Sequence, residues 1–183
     1  MDLKELVCAV EDKPGAAPAP PPPARRLNEL VHPGQNDPME LLRHRYLCRG
    51  GGLLLVGPTG VGKSSLVMQM IILWALGREA FGIVPTGPLK SLLVQAENDE
   101  GDLAEMRDGV MRGLGLSDDE RARACEMVLV VREDVRIGFA FVQGVLRPLL
   151  QEHRPDLLWI DPALAYLGGE ASSQKEVGAF LRN

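Results

Sequence analysis

Aromatic side chains are scarce in this chain of 183 residues, at 4%. Lys and Arg (20) are outnumbered by Asp and Glu (25), for a net charge of −5. A protein that binds nucleic acid over its whole surface needs a positive field or stacking rings, and composition supplies neither; only a local basic groove would remain. The three cysteines, Cys8, Cys48 and Cys125, are far apart and have no C-x-x-C spacing. That excludes a disulfide framework and the usual zinc pattern, and reduced cytoplasmic thiols are the simple reading. No secretory pattern marks the first residues, where Lys4, Glu5, Glu11 and Asp12 interrupt the apolar positions. The longest apolar stretch, Leu66 to Leu76, is too short to span a bilayer and contains Gln69. A soluble, cytoplasmic protein with no membrane partner is expected, and no internal repeat is evident.

Against this background one segment stands out. Residues 57–65 read GPTGVGKSS: Gly57, Pro58, Thr59, Gly60, Val61, Gly62, Lys63, Ser64 and Ser65. They fit G-x-x-x-x-G-K-[ST], with the apolar run Leu53, Leu54, Leu55 and Val56 entering and an apolar helical pattern leaving. Each residue type has a reason. A triphosphate needs many donors and little bulk, so glycines let backbone N–H groups curl around the β-phosphate. The helix starting near Lys63 directs its positive end at the anion. Lys63 suits the β- and γ-phosphates, and the Ser64 hydroxyl suits Mg²⁺. The segment predicts a binding loop for ATP and Mg²⁺.

Composition divides the chain. Pro14 to Pro23 (PGAAPAPPPP) forms neither helix nor sheet and reads as an extended linker. Residues 1–30 are expected to be a disordered Pro-rich segment and residues 31–183 the ATPase domain. From there the pattern alternates as in an α/β protein, a mostly parallel sheet flanked by helices. Strands are predicted at Leu53 to Val56, Ser91 to Gln95, Val128 to Val131 and Leu157 to Ile160. Helices are predicted from Ser64 to Leu76, ended by Gly77, then from Gly101 to Arg112, Phe141 to His153 and Gln174 to Arg182. The run Asp118-Asp119-Glu120 with Arg121 and Arg123 reads as solvated charge with no partner.

Two carboxylates fall where the loop needs them. Asp161 directly follows the apolar strand Leu157 to Ile160, the place from which a carboxylate orients Mg²⁺ at the carboxyl edge of a sheet. Glu97 follows the strand Ser91 to Gln95 and suits activation of the water that attacks the γ-phosphate. Asp99 is the fallback; with Glu100 and Asp102 it is more simply a helix-start carboxylate. Tyr46 reads as a packing aromatic rather than an adenine platform, and His153 as surface.

These residues resemble the RecA-like AAA-family ATPases related to RepA, the hexameric plasmid replication helicase. The resemblance rests on RYLCRGGGLLLVGPTGVGKSSL (45–66), LLVQAENDEGDLAEMRDGV (92–110) and RPDLLWIDPALAYLGG (154–169). It implies phosphate binding at Gly57 to Ser64, Mg²⁺ at Ser64 and Asp161, and Glu97 as catalytic base. It further implies a homo-hexamer and DNA-related work in the replication of a mobile element; the DNA partner comes from the resemblance alone. In that fold a further strand lies between the Leu53 to Val56 and Leu157 to Ile160 strands, so a truncated core is expected, with the C-terminal part of the sheet missing. The alternative is a truncated nucleotide-binding module that does not hydrolyse ATP. A small-molecule kinase shares the loop but needs an acceptor pocket and a lid, and no Arg-rich lid pattern is present.

Overall fold

The computed structural model describes residues 23–34 and 36–167. The chain divides into two units, Met1–Gln35 and Asn36–Asn183. In the first, the described residues are exposed apart from half-buried Pro33 and contain one 3₁₀ turn, Leu27–Glu29. The polyproline reading lies almost wholly outside the described residues, and so does the helix expected at Gln174 to Arg182.

The second unit opens with an antiparallel pair, β1 (Glu40–Leu42) and β2 (Leu47–Cys48). Then follow α1 (Lys63–Ala75), β3 (Ser91–Gln95), α2 (Glu100–Gly113), α3 (Asp118–Met127) and β4 (Val128–Arg132). After β4 a helical stretch runs through α4 (Gly138–Phe141), a π-helical segment (Val142–Leu146) and α5 (Arg147–His153). The last strand, β5 (Leu157–Asp161), leads into a 3₁₀ turn, Ala163–Tyr166.

β3 lies between β4 and β5 and pairs with both in parallel, in the order β4-β3-β5. A parallel strand covered on both faces is apolar along its middle, as Leu92, Leu93 and Val94 are, and all five residues of β3 are buried, polar Ser91 and Gln95 at its ends included. Alternation divides its side chains between two layers. Leu93 packs with Val67, Met68, Ile71 and Ile72 of α1 and with Leu103 and Met111 of α2. Leu92 and Val94 pack on the opposite face with Phe141, Val145, Leu146 and Tyr166. Helices therefore cover both faces, and the α/β class expected from the sequence is present.

α1 is apolar nearly all round because it is covered nearly all round; Ile71, Ile72 and Trp74 are at most 1% exposed. It ends at Leu76, and Gly77 follows with a φ of 69°. Pro148 is tolerated in the first turn of α5, where the helix emerges from the π-helical segment.

Two expectations are corrected. Residues 53–56 pair with no strand among the described residues, and their side chains are exposed, Leu54 by 81% and Val56 by 79%. An apolar run becomes a strand only beside a partner backbone. The described sheet ends at β5, and no strand flanks the run. The charged run at 118–123, expected to have no partner, forms the start of α3 and has partners. Ser117 caps α3 by accepting from the Glu120 N–H, Ala124 is buried against α1, and Glu120 pairs with Arg78 at 3.3 Å.

Candidate nucleotide site

The direction of α1 decides where its first turn lies. Its C-terminal end is fixed near the start of the sheet: the Leu89 N–H donates to the Trp74 carbonyl at 2.9 Å, two residues before β3. Trp74 also stacks on Trp159 of β5 with ring centroids 5.7 Å apart, and clusters with Leu157. The helix thus runs against the strands, and Lys63 points toward their carboxyl edge, where Glu97 and Asp161 sit. Glu97 and Asp161 lie at that edge of the sheet, and the end of α1 that carries the glycine-rich loop is the one directed toward it.

The loop has the shape that anion binding needs. Gly60 and Gly62 take left-handed backbone angles, φ 82° and 84°, that would strain any other residue. Gly62 caps α1 without any side-chain hydrogen bond, so no side chain covers the first-turn N–H groups. Lys63 Nζ donates to the carbonyls of Gly57 and Pro58, both at 2.8 Å, folding the ammonium back over the loop. Those neutral acceptors are weaker partners than a phosphate oxygen would be. Ser64 and Ser65 follow in the first turn, half-buried, while Thr59 and Val61 are exposed. A cleft of about 400 Å³ opens at the loop, lined by the loop residues Val61, Gly62 and Lys63 together with Leu55, Val56, Leu66 and Gln69. Its wall joins aliphatic side chains to the backbone of Gly62 and the Lys63 side chain, so the cleft is continuous with the glycine-rich loop.

Asp161 ends β5 in register with Gln95 at the end of β3. Gln95 Nε2 donates to Asp161 Oδ2 at 3.2 Å. Gln95 Oε1 accepts the N–H of Ala96 at 2.9 Å and of Glu97 at 3.1 Å. Glu97 itself is exposed, and no hydrogen bond or ion pair links it or Asp161 to the loop among the described residues. Asp99 caps α2 instead: it accepts from Asp102 N at 2.8 Å in a capping box. Ser64 and Asp161 offer hard oxygens, the donor type that Mg²⁺ takes. No cluster of three His, Cys, Asp or Glu that could hold a metal occurs among the described residues.

Sequence reasoning missed a buried polar layer at this edge. Glu133 follows β4; its carboxylate accepts the N–H groups of Val135 and Arg136, both at 2.9 Å, and Arg136 Nη1 at 2.7 Å. The Arg136 backbone bond, aided by the others, holds its pKa below the ordinary glutamate value despite burial. Tyr166 O–H donates to the Glu133 carbonyl at 2.6 Å, and the ring stacks on Phe141 at 4.0 Å. Burial first, then the charges of Glu133, Asp134 and Asp161, push the Tyr166 pKa up to about 12. The available signal was a polar residue closing each of three apolar strands. Tyr46 and His153 contribute nothing here; Tyr46 is 56% exposed, and His153 lies near Glu152 at 3.8 Å.

A family model described as an AAA domain matches residues 20–183. The chain belongs to the AAA domain family. Membership points to ATP binding and ATPase-type chemistry, typically with Mg²⁺. Neither the curated proteins nor the solved structures offer a match to this AAA domain protein. No helix among the described residues is long and apolar enough to cross a membrane.

Proposed function

We propose that this chain is a RecA-like, RepA-related ATPase whose domain spans residues 31–183, and that it binds Mg-ATP at residues 57–65. The observation that supports it is the direction of α1, whose loop-bearing end runs toward the strand ends that carry Asp161 and Glu97. In this reading the backbone N–H groups from Gly57 to Ser65 and the Lys63 ammonium hold the phosphates. The Ser64 hydroxyl and the Asp161 carboxylate would hold Mg²⁺, which supplies charge neutralisation at the reacting phosphate. Glu97 accepts the proton of the attacking water. Work on DNA in a mobile element, and a hexamer in which a neighbouring copy supplies an arginine, extend the proposal on resemblance alone.

Phosphate release by the purified chain, with and without DNA, tests it. Turnover abolished by Lys63→Ala supports the reading; turnover that survives the substitution rules it out.

The exposure of residues 53–56 favours a second reading, a nucleotide-binding module that does not hydrolyse ATP. In that case Mg-ATP raises the melting temperature while phosphate release stays at background.

A further inference from the structure

Among the described residues, the Gln95 side chain hydrogen-bonds both the Asp161 carboxylate and the Glu97 N–H, and the Ala96 N–H adds a backbone bond to the Asp161 carbonyl at 3.3 Å. Gln95 is 1% exposed, at the centre of a three-stranded sheet, and its carboxamide is bonded at both its oxygen and its nitrogen. The orientation of that amide is fixed by chemistry rather than by shape. One end faces two backbone N–H donors, from Ala96 and Glu97, and only an oxygen satisfies them. The other end faces the Asp161 carboxylate, an acceptor, and only an N–H satisfies it. A glutamine is the residue of this length that offers both.

The register supplies the second half of the argument. Gln95 and Asp161 are paired residues on neighbouring parallel strands, so their side chains leave the sheet on the same face. Leu93 and Trp159, the pair two residues earlier, pack with α1. Gln95 and Asp161 therefore face the α1 side, at the edge toward which the first turn of α1 points. Asp161 Oδ2 is taken by Gln95, which leaves Oδ1 outside that bond.

We propose that Gln95 is a positioning residue: its amide fixes the Asp161 carboxylate toward the metal side of the nucleotide site while anchoring the backbone of Glu97. This rests on the ATPase reading above. It deepens that reading by making the metal carboxylate and the water-activating glutamate one hydrogen-bonded unit, so that displacing either moves the other.

The discriminating variant is Gln95→Glu. It keeps the acceptor for Ala96 and Glu97 and replaces the donor to Asp161 with a second oxygen. ADP binding by the full chain, titrated by calorimetry across a range of Mg²⁺ concentrations, reads the metal without requiring turnover. The Mg²⁺ concentration at half effect is expected to rise about tenfold or more, as for loss of one charge-assisted hydrogen bond. Mg²⁺-free ADP affinity should stay unchanged, and in steady state kcat should fall with little change in KM. Gln95→Met keeps the length and carries no charge. It should shift Mg²⁺ dependence in the same direction, and it serves as the test if the glutamate variant fails to melt cooperatively. A cooperatively folded variant with wild-type Mg²⁺ dependence overturns the role of Gln95 alone. Absence of Mg²⁺-dependent nucleotide binding in the unsubstituted chain overturns the site reading, and the role of Gln95 with it.

Discussion

Tyr166 donates its hydroxyl to the Glu133 carbonyl at 2.6 Å, and this bond ties the turn after β5 to the end of β4. The two segments flank the ends of β3 and β5, so the bond closes the carboxyl edge on which Gln95 and Asp161 meet. Tyr166 is 1% exposed, and its phenol cannot ionise without leaving a buried charge beside Glu133, Asp134 and Asp161. A raised folded-state pKa contributes stability that is complete below the unfolded value and lost as pH rises through the folded one. Unfolding free energy should therefore hold up to about pH 10 and decline between 10.0 and about 12. Tyr166→Phe should remove that alkaline slope and cost about 1–2 kcal/mol at neutral pH. Urea unfolding of both proteins from pH 7 to 12 checks each part.

Glu133 predicts the opposite limb. Its carboxylate is bound by the N–H groups of Arg136 and Val135 and by the Arg136 guanidinium, all of which favour the charged form. A depressed folded-state pKa contributes stability that is present above the unfolded value, 4.5, and is lost as pH falls through the folded one. Glu133→Gln should give a flatter stability profile below pH 4.5, with lower stability at neutral pH. Thermal melts between pH 3 and 7 measure it; profiles of equal slope in both proteins contradict the assignment.

The loop depends on a packing contact at the far end of its helix. Trp74 is 1% exposed, stacks on Trp159 and donates from its indole to the Ile83 carbonyl at 3.3 Å. Truncation leaves a cavity and an unmatched acceptor, so Trp74→Ala should cost about 3–5 kcal/mol. Because Trp74 is distant from the phosphates along α1, protein that remains folded should keep its nucleotide affinity. Chemical denaturation and a binding titration on the same preparation separate the two effects.

The exposed run before the loop makes a contrary prediction. Leu54 is 81% exposed, so Leu54→Lys should change stability by no more than about 0.5 kcal/mol. Were residues 53–56 a buried strand, the same substitution would place an unpaired charge in the core and cost several times as much. A denaturation midpoint on the variant distinguishes the two outcomes.

The sequence made those elements legible whose signal is local. β3 occupies the expected Ser91–Gln95, and α1 starts within one residue of its expected position, because a continuous apolar run and a glycine stop are both read along the chain. The positions of Asp161 at the end of β5 and of Glu97 two residues beyond β3 were legible for the same reason, since both follow apolar runs. Residues 53–56 misled because strand formation needs a neighbour, and hydrophobicity reports only a tendency to be buried. The helix Asp118–Met127 was hidden by its charge, since only Ala124 is buried and the Ser117 cap carries the signal. Gln95 was read as the end of a strand. Its role depends on the register with Asp161, a pairing across 66 residues that no local pattern encodes.

Glu97 and Asp161 should fail differently when neutralised. Glu97 is exposed, and among the described residues its hydrogen bond is made by its backbone N–H and not by its carboxylate. Glu97→Gln keeps the shape and removes the proton acceptor. It should leave stability and Mg-ATP affinity intact while lowering kcat by about 10²- to 10⁴-fold, the usual contribution of a positioned general base. Asp161 is half-buried and bonded to Gln95. Asp161→Asn replaces a charged acceptor with a neutral one in that bond, so stability should fall by about 1 kcal/mol. Its nucleotide binding should lose Mg²⁺ dependence before it loses nucleotide itself. Single-turnover phosphate release, combined with binding at several Mg²⁺ concentrations, resolves the pair. Equal losses of binding in both variants would show that the two carboxylates do not divide the work as base and metal ligand.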